Sequence, residues 1–439
     1  MATIRPFHGL RYNPSKVGEV SRVIAPPYDV ISAEQQEELQ KRSPYNVVRL
    51  ILGRQYDGDS PEDNRYTRAK KKLDQWIGEG ALAEDAEPTL YVYEQSFRAA
   101  GRDLTRRGVL CALRLSPFGQ GEVFPHEETF SAPKADRMHL IKAVRTNLSP
   151  IFGLVPDDAR ALTGVLAASR ESAKLLADVT EDSGVTNRLY GVSDPEWTKK
   201  IAGALEPNPV FIADGHHRYE TALAYRDERR AKEGYKGAYG TRPYDDIMMM
   251  CVPMSDPGLV VLPTHRLLRP TPGVRTDELP GCAEKYFAVK EAAPAELEAL
   301  ACEDKEGRTR IGLALRKDGK TYILNLASEA PMAEVLPDRT EAYRRLDVAV
   351  LHELLLGRCL GMEASKVHRG EHITYLKDAG ESLQRTIAAG ADHDAAFILR
   401  PTRVDQVRQV AAAGEKMPHK STYFYPKLLS GLVMRQLTR

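Results

Sequence analysis

The sequence predicts a mixed α/β protein with several small sheets, and three patterns along the chain carry that prediction. Short apolar, β-rich runs joined by polar turns occupy the first third. Strands then alternate with helices from residue 151 to residue 262, and the final third mixes a hairpin with further helices. At roughly 150 residues per domain, the 439 residues correspond to about two or three domains.

Composition and charge argue against several classes of protein. The 62 Lys and Arg residues balance 61 Asp and Glu residues, whereas a nucleic-acid binder needs a concentrated basic surface. The 5 cysteines stand singly without a CxxC pair, which is typical of reduced thiols rather than of a disulfide or zinc framework. No stretch approaches the roughly 18 apolar residues of a membrane helix, and no apolar signal-peptide core begins the chain. We therefore expect a cytoplasmic protein that binds small molecules.

Each predicted element follows from a local pattern. Ser32 and Gln35 form a capping box, which opens a helix that runs to about Lys41. Apolar runs at 88–97 and 108–115 flank a polar turn and predict a hairpin. Further on, the patterns predict strands at 151–155, 188–192, 209–213, 246–252, 258–262 and 395–399, helices at 157–179, 195–205, 219–232, 346–356 and 404–412, and a hairpin at 310–315 and 321–326.

The domain organisation is predicted from one break in these patterns. Pro270 and Pro272 interrupt the run of strands and helices, and prolines are typical of linkers. We predict an N-terminal α/β region at 1–120, a catalytic core at 121–270 that carries PHEET, DGHHR and PTHR, and a C-terminal α/β domain at 271–439 that completes the substrate site.

The segment FIADGHHRYETAL is the sharpest chemical signal. A strand delivers Asp214, Gly215 allows a tight turn, and His216, His217 and Arg218 begin a helix. Backbone N–H groups at a helix start attract anions, and a guanidinium beside them completes a phosphate cradle. The alternative is a structural turn with Arg218 in a surface ion pair. Packing alone does not explain paired histidines and an arginine at one helix start, so we favour a functional interpretation.

The segment PHEET places two carboxylates, Glu127 and Glu128, directly after His126. A carboxylate in this position can take a proton from an alcohol, and a positioned base typically gives about 10²–10⁴-fold in rate. Lys134 and Arg137, which follow, can add an anion site. The alternative is a solvated loop with acids at a helix start, where the helix dipole favours them.

Three further segments carry weaker signals. They are PYNVVRL, PTHR and the lysine-rich GEKMPHKSTYFYPK near the C-terminus, a type of loop that is usually only solvated. Their candidate binding residues are Asn46, Arg49, His265, Lys420, Ser421, Thr422 and Phe424. No P-loop, GxGxxG, GxSxG or HExxH motif occurs, so phosphate chemistry here requires a different kind of site.

Taken together, the motifs APPYDV, PYNVVRL, PHEET, DGHHRYETAL, PTHR and KSTYFYPK resemble the domain-of-unknown-function family DUF1015 over the whole chain. DGHHR at 214–218 also resembles the phosphate-binding signature of the ParB/sulfiredoxin superfamily. The free L-serine kinases of that superfamily are similar in motif order, with Pro-His-Glu first, DGHHR second and a Lys-Thr-Thr segment last. This chain departs from them in the 87 positions between Glu127 and Asp214 and in the roughly 120 residues before PHEET.

The resemblance implies a ParB/sulfiredoxin-like catalytic core with additional N-terminal and C-terminal α/β parts. It implies a kinase that forms O-phospho-L-serine, with Glu127 as general base and Asp214 orienting the hydroxyl or holding Mg²⁺. His217 would assist catalysis. The residues expected to bind phosphate groups are Gly215, His216, His217, Arg218, Lys134, Arg137, Asn46 and Arg49. Those expected to bind substrate are His126, His265, Lys420, Ser421, Thr422 and Phe424.

The phosphoryl donor and two other functions stay open at this point. The many basic residues near the motifs suit a small, highly charged donor such as pyrophosphate, but ATP and ADP also fit. A metal-dependent hydrolase would use His126, Asp214, His216, His217 and His265 as ligands, although adjacent histidines diverge around a helix. A ParB-like switch would bind a nucleotide without catalysis.

Overall fold

The computed structural model describes residues 2–129 and 131–438, in which helices and strands are distributed along the whole chain. The strands are β1 (Ile4–Arg5), β2 (Gly9–Tyr12), β3 (Leu82–Glu84), β4 (Leu90–Ala99), β5 (Arg102–Arg114), β6 (Val123–Phe124), β7 (Thr146–Asn147), β8 (Ile151–Val155), β9 (Lys174–Thr180), β10 (Thr186–Val192), β11 (Val210–Asp214), β12 (Asp246–Pro253), β13 (Val260–Leu262), β14 (His265–Leu268), β15 (Phe287–Glu291), β16 (Arg310–Leu315), β17 (Thr321–Leu326), β18 (Ile373–Leu376), β19 (Ala395–Ile398), β20 (Tyr423–Tyr425) and β21 (Met434–Gln436).

The helices confirm, with these strands, the predicted mixed α/β class. They are α1 (Pro14–Val17), α2 (Ala33–Arg42), α3 (Val48–Ile51), α4 (Arg65–Gly78), α5 (Ser131–Val144), α6 (Ala161–Ser172), α7 (Pro195–Leu205), α8 (His216–Glu233), α9 (Leu279–Ala283), α10 (Pro294–Leu300), α11 (Ala330–Val335), α12 (Glu341–Arg344), α13 (Asp347–Val350), α14 (Ala364–His368), α15 (Ala379–Ile387) and α16 (Val404–Ala412). A π-helical segment at Leu351–Cys359 follows α13 directly.

Several local predictions are confirmed by the hydrogen bonds that form. At the start of α2, the Ser32 hydroxyl accepts from the Gln35 N–H, and the Gln35 side chain accepts from the Ser32 N–H. The first hairpin is β4–β5, which are antiparallel neighbours up to the pair Ala99 and Arg102. The second is β16–β17, also antiparallel.

The predicted helix at 157–179 is wrong in its second half. α6 ends at Ser172, and the following residues form β9, an antiparallel neighbour of β10. Cross-strand pairing with β10 stabilises a strand here, and it overrides the helical spacing of the apolar residues. The predicted helix at 346–356 continues instead as the π-helical segment beyond Val350.

The expectation that all cysteines are reduced is also wrong. Cys282 in α9 and Cys359 in the π-helical segment form a disulfide, with their Cα atoms 5.6 Å apart. The two residues are 77 positions apart in sequence, so no local spacing motif marks them. Cys111 and Cys251 are buried free thiols, and Cys302 is an exposed one.

The chain divides into two compact units. Unit 1 contains the residues up to Pro125, those from Thr129 to Leu259, and those from Pro426 onward. Unit 2 contains His126–Glu128 and Val260–Tyr425. Residues 126–128 of PHEET therefore belong to unit 2, whereas DGHHR and Lys427 belong to unit 1.

Unit 1 is built on a mixed sheet with strand order β6-β11-β8-β12-β5-β4-β10-β9, to which β1 adds on β5. β11 runs parallel to β6 and antiparallel to β8. Its Ile212 lies in the same core cluster as Ile151 of β8 and Met249 of β12. Because β11 is anchored on both sides, the position at which it ends, Asp214, is well determined.

A smaller sheet in unit 1 has the order β3-β2-β21-β7, so the C-terminal strand β21 lies between β2 and β7. Unit 2 has a sheet of order β15-β17-β16-β19-β14-β18 and a separate pair, β13 and β20. Leu297 of α10 and Leu383 of α15 contribute to the core of that larger sheet. None of the helices in the described residues is long and apolar enough to cross a membrane.

Candidate functional site

The turn between β11 and α8 gives DGHHR the local structure that the sequence predicts. β11 ends at Asp214, Gly215 has a φ of 97°, and α8 begins at His216. A Cβ on residue 215 would lie 2.9 Å from a guanidinium nitrogen of Arg218. Glycine is therefore favoured by the left-handed backbone, and any larger residue would also displace the Arg218 guanidinium.

Asp214 lies between two cations. The Lys427 Nζ is 3.2 Å from one carboxylate oxygen, and the Arg218 Nη2 is 3.2 Å from the other. Burial by itself raises the pKa of Asp214, but Lys427 and Arg218 outweigh it and lower that pKa to about 2. Asp214 is therefore ionised at neutral pH. We call Asp214, Arg218 and Lys427 the Asp214 cluster.

The backbone before and at Lys427 is fixed by two polar side chains of β4 and β5. Gln95 donates to the Lys427 carbonyl at 3.0 Å, and Arg106 donates to the Pro426 carbonyl. Arg106 is fully buried, stacks 4.6 Å from the centre of the Phe152 ring, and also donates to Gln95. In the sequence, Lys427 stands out only as part of a lysine-rich segment, because its partner Asp214 is 213 positions away.

The other candidates in unit 1 have varied surroundings. His216 is buried and adds to the charges that lower the pKa of Asp214, and His217 is half-buried. Lys134 pairs with Glu220 of α8 at 2.8 Å, and the Thr129 hydroxyl donates to the same carboxylate at 2.7 Å. The structure thus places Lys134 in an ion pair on the side of α8.

Arg137, Asn46 and Arg49 contact local groups. Arg137 pairs with Asp136, donates to the Ile51 carbonyl and stacks on Tyr28. The fully buried Asn46 side chain donates to the carbonyls of Arg22 and Ile24 and accepts from the Val48 N–H. Arg49 donates to backbone carbonyls at Ser43 and Gln40. Their phosphate-binding roles stay predictions.

In unit 2, Glu127 contacts the segment that contains KSTYFYPK. Its carboxylate accepts a hydrogen bond from the Lys420 N–H at 2.9 Å and lies 3.6 Å from the His419 Nδ1. The His126 Nε2 lies 2.9 Å from the Thr422 hydroxyl. We call these five residues the Glu127 cluster. It brings together the predicted His126, Glu127, Lys420 and Thr422.

The structure distinguishes between the two neighbouring glutamates. Glu127 is half-buried and bound to Lys420, whereas Glu128 is exposed. The Met417 N–H donates to the His126 carbonyl at 2.8 Å, and residues 127 and 417 form an isolated parallel bridge. This backbone pairing determines which of the two carboxylates points toward residues 419 and 420.

Arg266 is hydrogen-bonded to the backbone of residues 419 and 420. It is 1% exposed and donates to the carbonyls of Thr264, His419 and Lys420. Burial lowers the pKa of Arg266 to about 10, so it stays charged at neutral pH. Lys420 itself has a φ of 58°, a left-handed conformation, and its N–H donates to Glu127.

The remaining predicted residues of unit 2 are buried. The Ser421 hydroxyl donates to the Pro418 carbonyl at 2.5 Å, and Phe424 lies edge-on to His126 with ring centres 6.2 Å apart. His265 is completely buried, and its Nδ1 accepts from the Leu399 N–H at 3.2 Å. Burial lowers the pKa of His265 to about 4, so the ring is neutral at pH 7.

No group of three His, Cys, Asp or Glu side chains within residues 2–129 and 131–438 is arranged to hold a metal ion. The ligand set that the hydrolase alternative requires is therefore not assembled within either unit. Of its predicted members, Asp214 is paired with two cations, and His265 has one ring nitrogen bound to the backbone.

Comparisons with known proteins give one family and several distant structures. A family model described as "Protein of unknown function (DUF1015)" matches residues 4–349. No curated protein matches the chain. A mutant free serine kinase in complex with AMP is 12% identical, with 69% of this chain and 84% of that chain covered and a TM-score of 0.34.

Two other solved structures are similarly distant. A conserved hypothetical protein from Pyrococcus furiosus is 14% identical over 70% of this chain and 89% of that chain, with a TM-score of 0.32. SbnI with a C-terminal truncation, from Staphylococcus aureus, is 10% identical over 73% and 85%, with a TM-score of 0.31. Similarities at this level carry no argument about what this chain does.

Proposed function

The chain belongs to DUF1015, a family of proteins of unknown function, as its motifs predict, and we propose that it transfers a phosphoryl group to the hydroxyl of free L-serine. The observation that carries this proposal is the Asp214 cluster, which joins an arginine and a lysine through an ionised carboxylate at the start of α8. Phosphoryl transfer depends on positioning and charge neutralisation rather than on covalent help from the protein.

The phosphoryl group is proposed to bind at the start of α8. The first N–H groups of a helix lack intrahelical partners and attract anions, and Gly215 lets the chain approach closely. Arg218 and Lys427 would neutralise charge on the group in transfer, which is where fixed cations lower a barrier most. Asp214 would keep both cations in place, since it contacts each of them at 3.2 Å.

Glu127 is proposed as the general base for the serine hydroxyl. Its carboxylate is oriented by the Lys420 N–H and lies near His419, so its position does not depend on a flexible side-chain partner. Lys420, Ser421 and Thr422 would contribute contacts to the serine carboxylate or to the donor phosphates. A positioned base of this kind typically contributes about 10²–10⁴-fold.

Mg²⁺ is proposed as the cofactor. It commonly binds one or two protein carboxylates together with substrate phosphates and water. The resemblance offers Asp214 as the single carboxylate ligand. Because its two oxygens contact Lys427 and Arg218, Mg²⁺ would replace one of these contacts, with donor oxygens and water as its other ligands. When bound, Mg²⁺ would neutralise charge between the donor phosphates. ATP, ADP and pyrophosphate are all candidate donors.

The experiment is ³¹P NMR of the full chain with Mg²⁺, L-serine and each of the three donors in turn. We expect a serine-dependent phosphomonoester signal. Glu127→Gln should lower kcat by about 10²–10⁴-fold with little change in substrate binding, because it removes the base and preserves volume. The matched control is Glu128→Gln, which alters the exposed neighbour and should keep the wild-type rate.

Three results would contradict the proposal. Donor consumption without a serine-dependent product would favour a hydrolase. Donor binding without any turnover would favour a nucleotide switch. Equal rates for Glu127→Gln and wild type would remove Glu127 from the role of base.

A further inference from the structure

Unit 1 contains a partly open cavity beside α8, which shares only Arg218 with the residues that the proposed reaction uses. Its volume is about 60 Å³, and its apolar wall includes Leu140, Leu148 and Ile247. Arg218 and Thr221, one turn apart on α8, also line it. The cavity therefore flanks the side of α8, whereas the proposed phosphoryl site is at the start of that helix.

Several polar side chains line this cavity, and one of them has no partner. Thr146 donates to the Val144 carbonyl and Ser149 is hydrogen-bonded to Ser430. Thr221 is 3% exposed, and its hydroxyl makes no hydrogen bond to any described residue. A buried hydroxyl without a partner costs free energy, typically about 1–3 kcal/mol. A ligand that accepts a hydrogen bond from Thr221 would remove that cost.

The charges around the cavity leave an excess of positive charge. Arg137, a second lining arginine, is 8% exposed and shares Asp136 with Arg65. Arg218 shares Asp214 with Lys427. Each carboxylate thus serves two cations, so the two guanidinium groups at the cavity favour an anion.

The residues that line the cavity favour a monocarboxylate over a phosphate. A phosphate needs donors on every side, whereas most of the accessible surface that lines this cavity is apolar. A monocarboxylate has one polar end for the guanidinium groups and Thr221 and one apolar end for the leucines and Ile247. The 60 Å³ volume offers space for roughly four to six water-sized groups, which matches the non-hydrogen atoms of an acid of about three or four carbons.

We infer that this cavity is a binding site for a short-chain monocarboxylate of the size of propionate or butyrate. The described lining contains no carboxylate that would pair with an ammonium group. The matching amino acid should therefore bind more weakly than the unaminated acid, which separates this site from the proposed acceptor site for serine. Because Arg218 belongs to both sites, binding at either one changes the surroundings of the other.

The test is calorimetric titration of the full chain with propionate, butyrate, alanine and inorganic phosphate at constant ionic strength. We expect saturable binding of propionate or butyrate at one site and weaker binding of alanine. Thr221→Val should weaken binding by at least about 10-fold, because it removes a hydrogen bond to a charged group. It should not lower stability, since the hydroxyl has no partner to lose.

The control variant is Thr180→Val, which makes the same change on an exposed strand residue and should bind like wild type. Nuclear Overhauser effects from the propionate methyl group to the Ile247 methyl groups would place the ligand. The inference is overturned by absence of saturable propionate and butyrate binding, by unchanged affinity in Thr221→Val, or by tighter binding of alanine or phosphate. No phosphoryl donor or serine is present, so the result is independent of the kinase proposal.

Discussion

In unit 1 the charges of two side chains hold Asp214, whereas in unit 2 Glu127 accepts a hydrogen bond from a backbone N–H. Asp214 is bound through both carboxylate oxygens to the side chains of Lys427 and Arg218. Glu127 is bound to a backbone N–H, and the carbonyls of that same segment are bound by Arg266. Ion pairs therefore hold Asp214, whereas the position of Glu127 depends on the backbone of residues 417–420.

This difference has a physical consequence for substitutions. Removing a charge from a set of buried ion pairs leaves uncompensated charges behind, which is costly. Replacing a carboxylate that accepts a hydrogen bond from a backbone N–H costs less stability when the new side chain can still accept that hydrogen bond. We therefore expect stability and activity to separate in the Glu127 cluster but to change together in the Asp214 cluster.

Among the further substitutions that test this comparison, the largest expected effect is on the rate. Arg218→Gln should lower kcat/KM for the phosphoryl donor by about 10²–10³-fold, because it removes a fixed cation from the group in transfer. Steady-state kinetics with the donor identified by ³¹P NMR would measure this. Arg229→Gln is the matched control on the same helix, since Arg229 pairs with Glu233 away from the cluster. Equal losses in both variants would show a general effect on α8.

The next effect is on stability. Asp214→Asn should lower the free energy of unfolding by about 3 kcal/mol, because Arg218 and Lys427 lose their common counter-charge. Glu127→Gln should cost less than about 1 kcal/mol, since the amide oxygen can still accept from the Lys420 N–H. Amide exchange in each unit, recorded at increasing denaturant concentration, would measure the stability of both variants. Equal costs would break the comparison between the clusters.

Unit 2 also has a covalent constraint that is predicted to act on that unit alone. Reducing the disulfide between Cys282 and Cys359 should lower the stability of unit 2 by about 2–4 kcal/mol, because the unfolded chain regains conformational freedom. Amide exchange in α9 and in residues 351–359, with and without a reductant, would measure the loss. Cys302→Ser should respond to the reductant like wild type, and faster exchange in unit 1 would contradict a local constraint.

The smallest effect is a pH dependence in unit 2. His265 is neutral when folded, since burial lowers its pKa from 6.5 to about 4. Below pH 6.5 the unfolded state takes up a proton that the folded state does not. The stability therefore decreases as the pH is lowered from 6.5 to about 4, and it does not depend on this histidine above pH 6.5. At pH 5 the loss should be about 2 kcal/mol.

A variant isolates this histidine. His265→Asn should flatten the stability profile between pH 6.5 and 4, because it removes the titrating group and keeps an acceptor for the Leu399 N–H. His8→Asn changes an exposed histidine and should leave the profile as in wild type. An unchanged profile in His265→Asn would assign the acid sensitivity to other groups.

Local elements were readable from the sequence because their signals lie within a few residues. The capping box of Ser32 and Gln35, the hairpin β16–β17 and the strand-turn-helix at DGHHR all form as predicted. The second half of the predicted helix at 157–179 did not form, because pairing of β9 with β10 depends on a strand that follows it in the chain. Periodicity alone does not contain that neighbour.

By itself, the sequence determined the mixed α/β class, the family and the motifs that carry the candidate chemistry. Only the tertiary structure decided which groups contact each other. Lys427 reaches Asp214 across 213 positions, and the Lys420 N–H reaches Glu127 across 293. Contacts at such separations depend on how the sheets of each unit bring distant segments together, and no spacing rule along the chain expresses that. The same reason explains why the disulfide and the cavity beside α8 were not predicted.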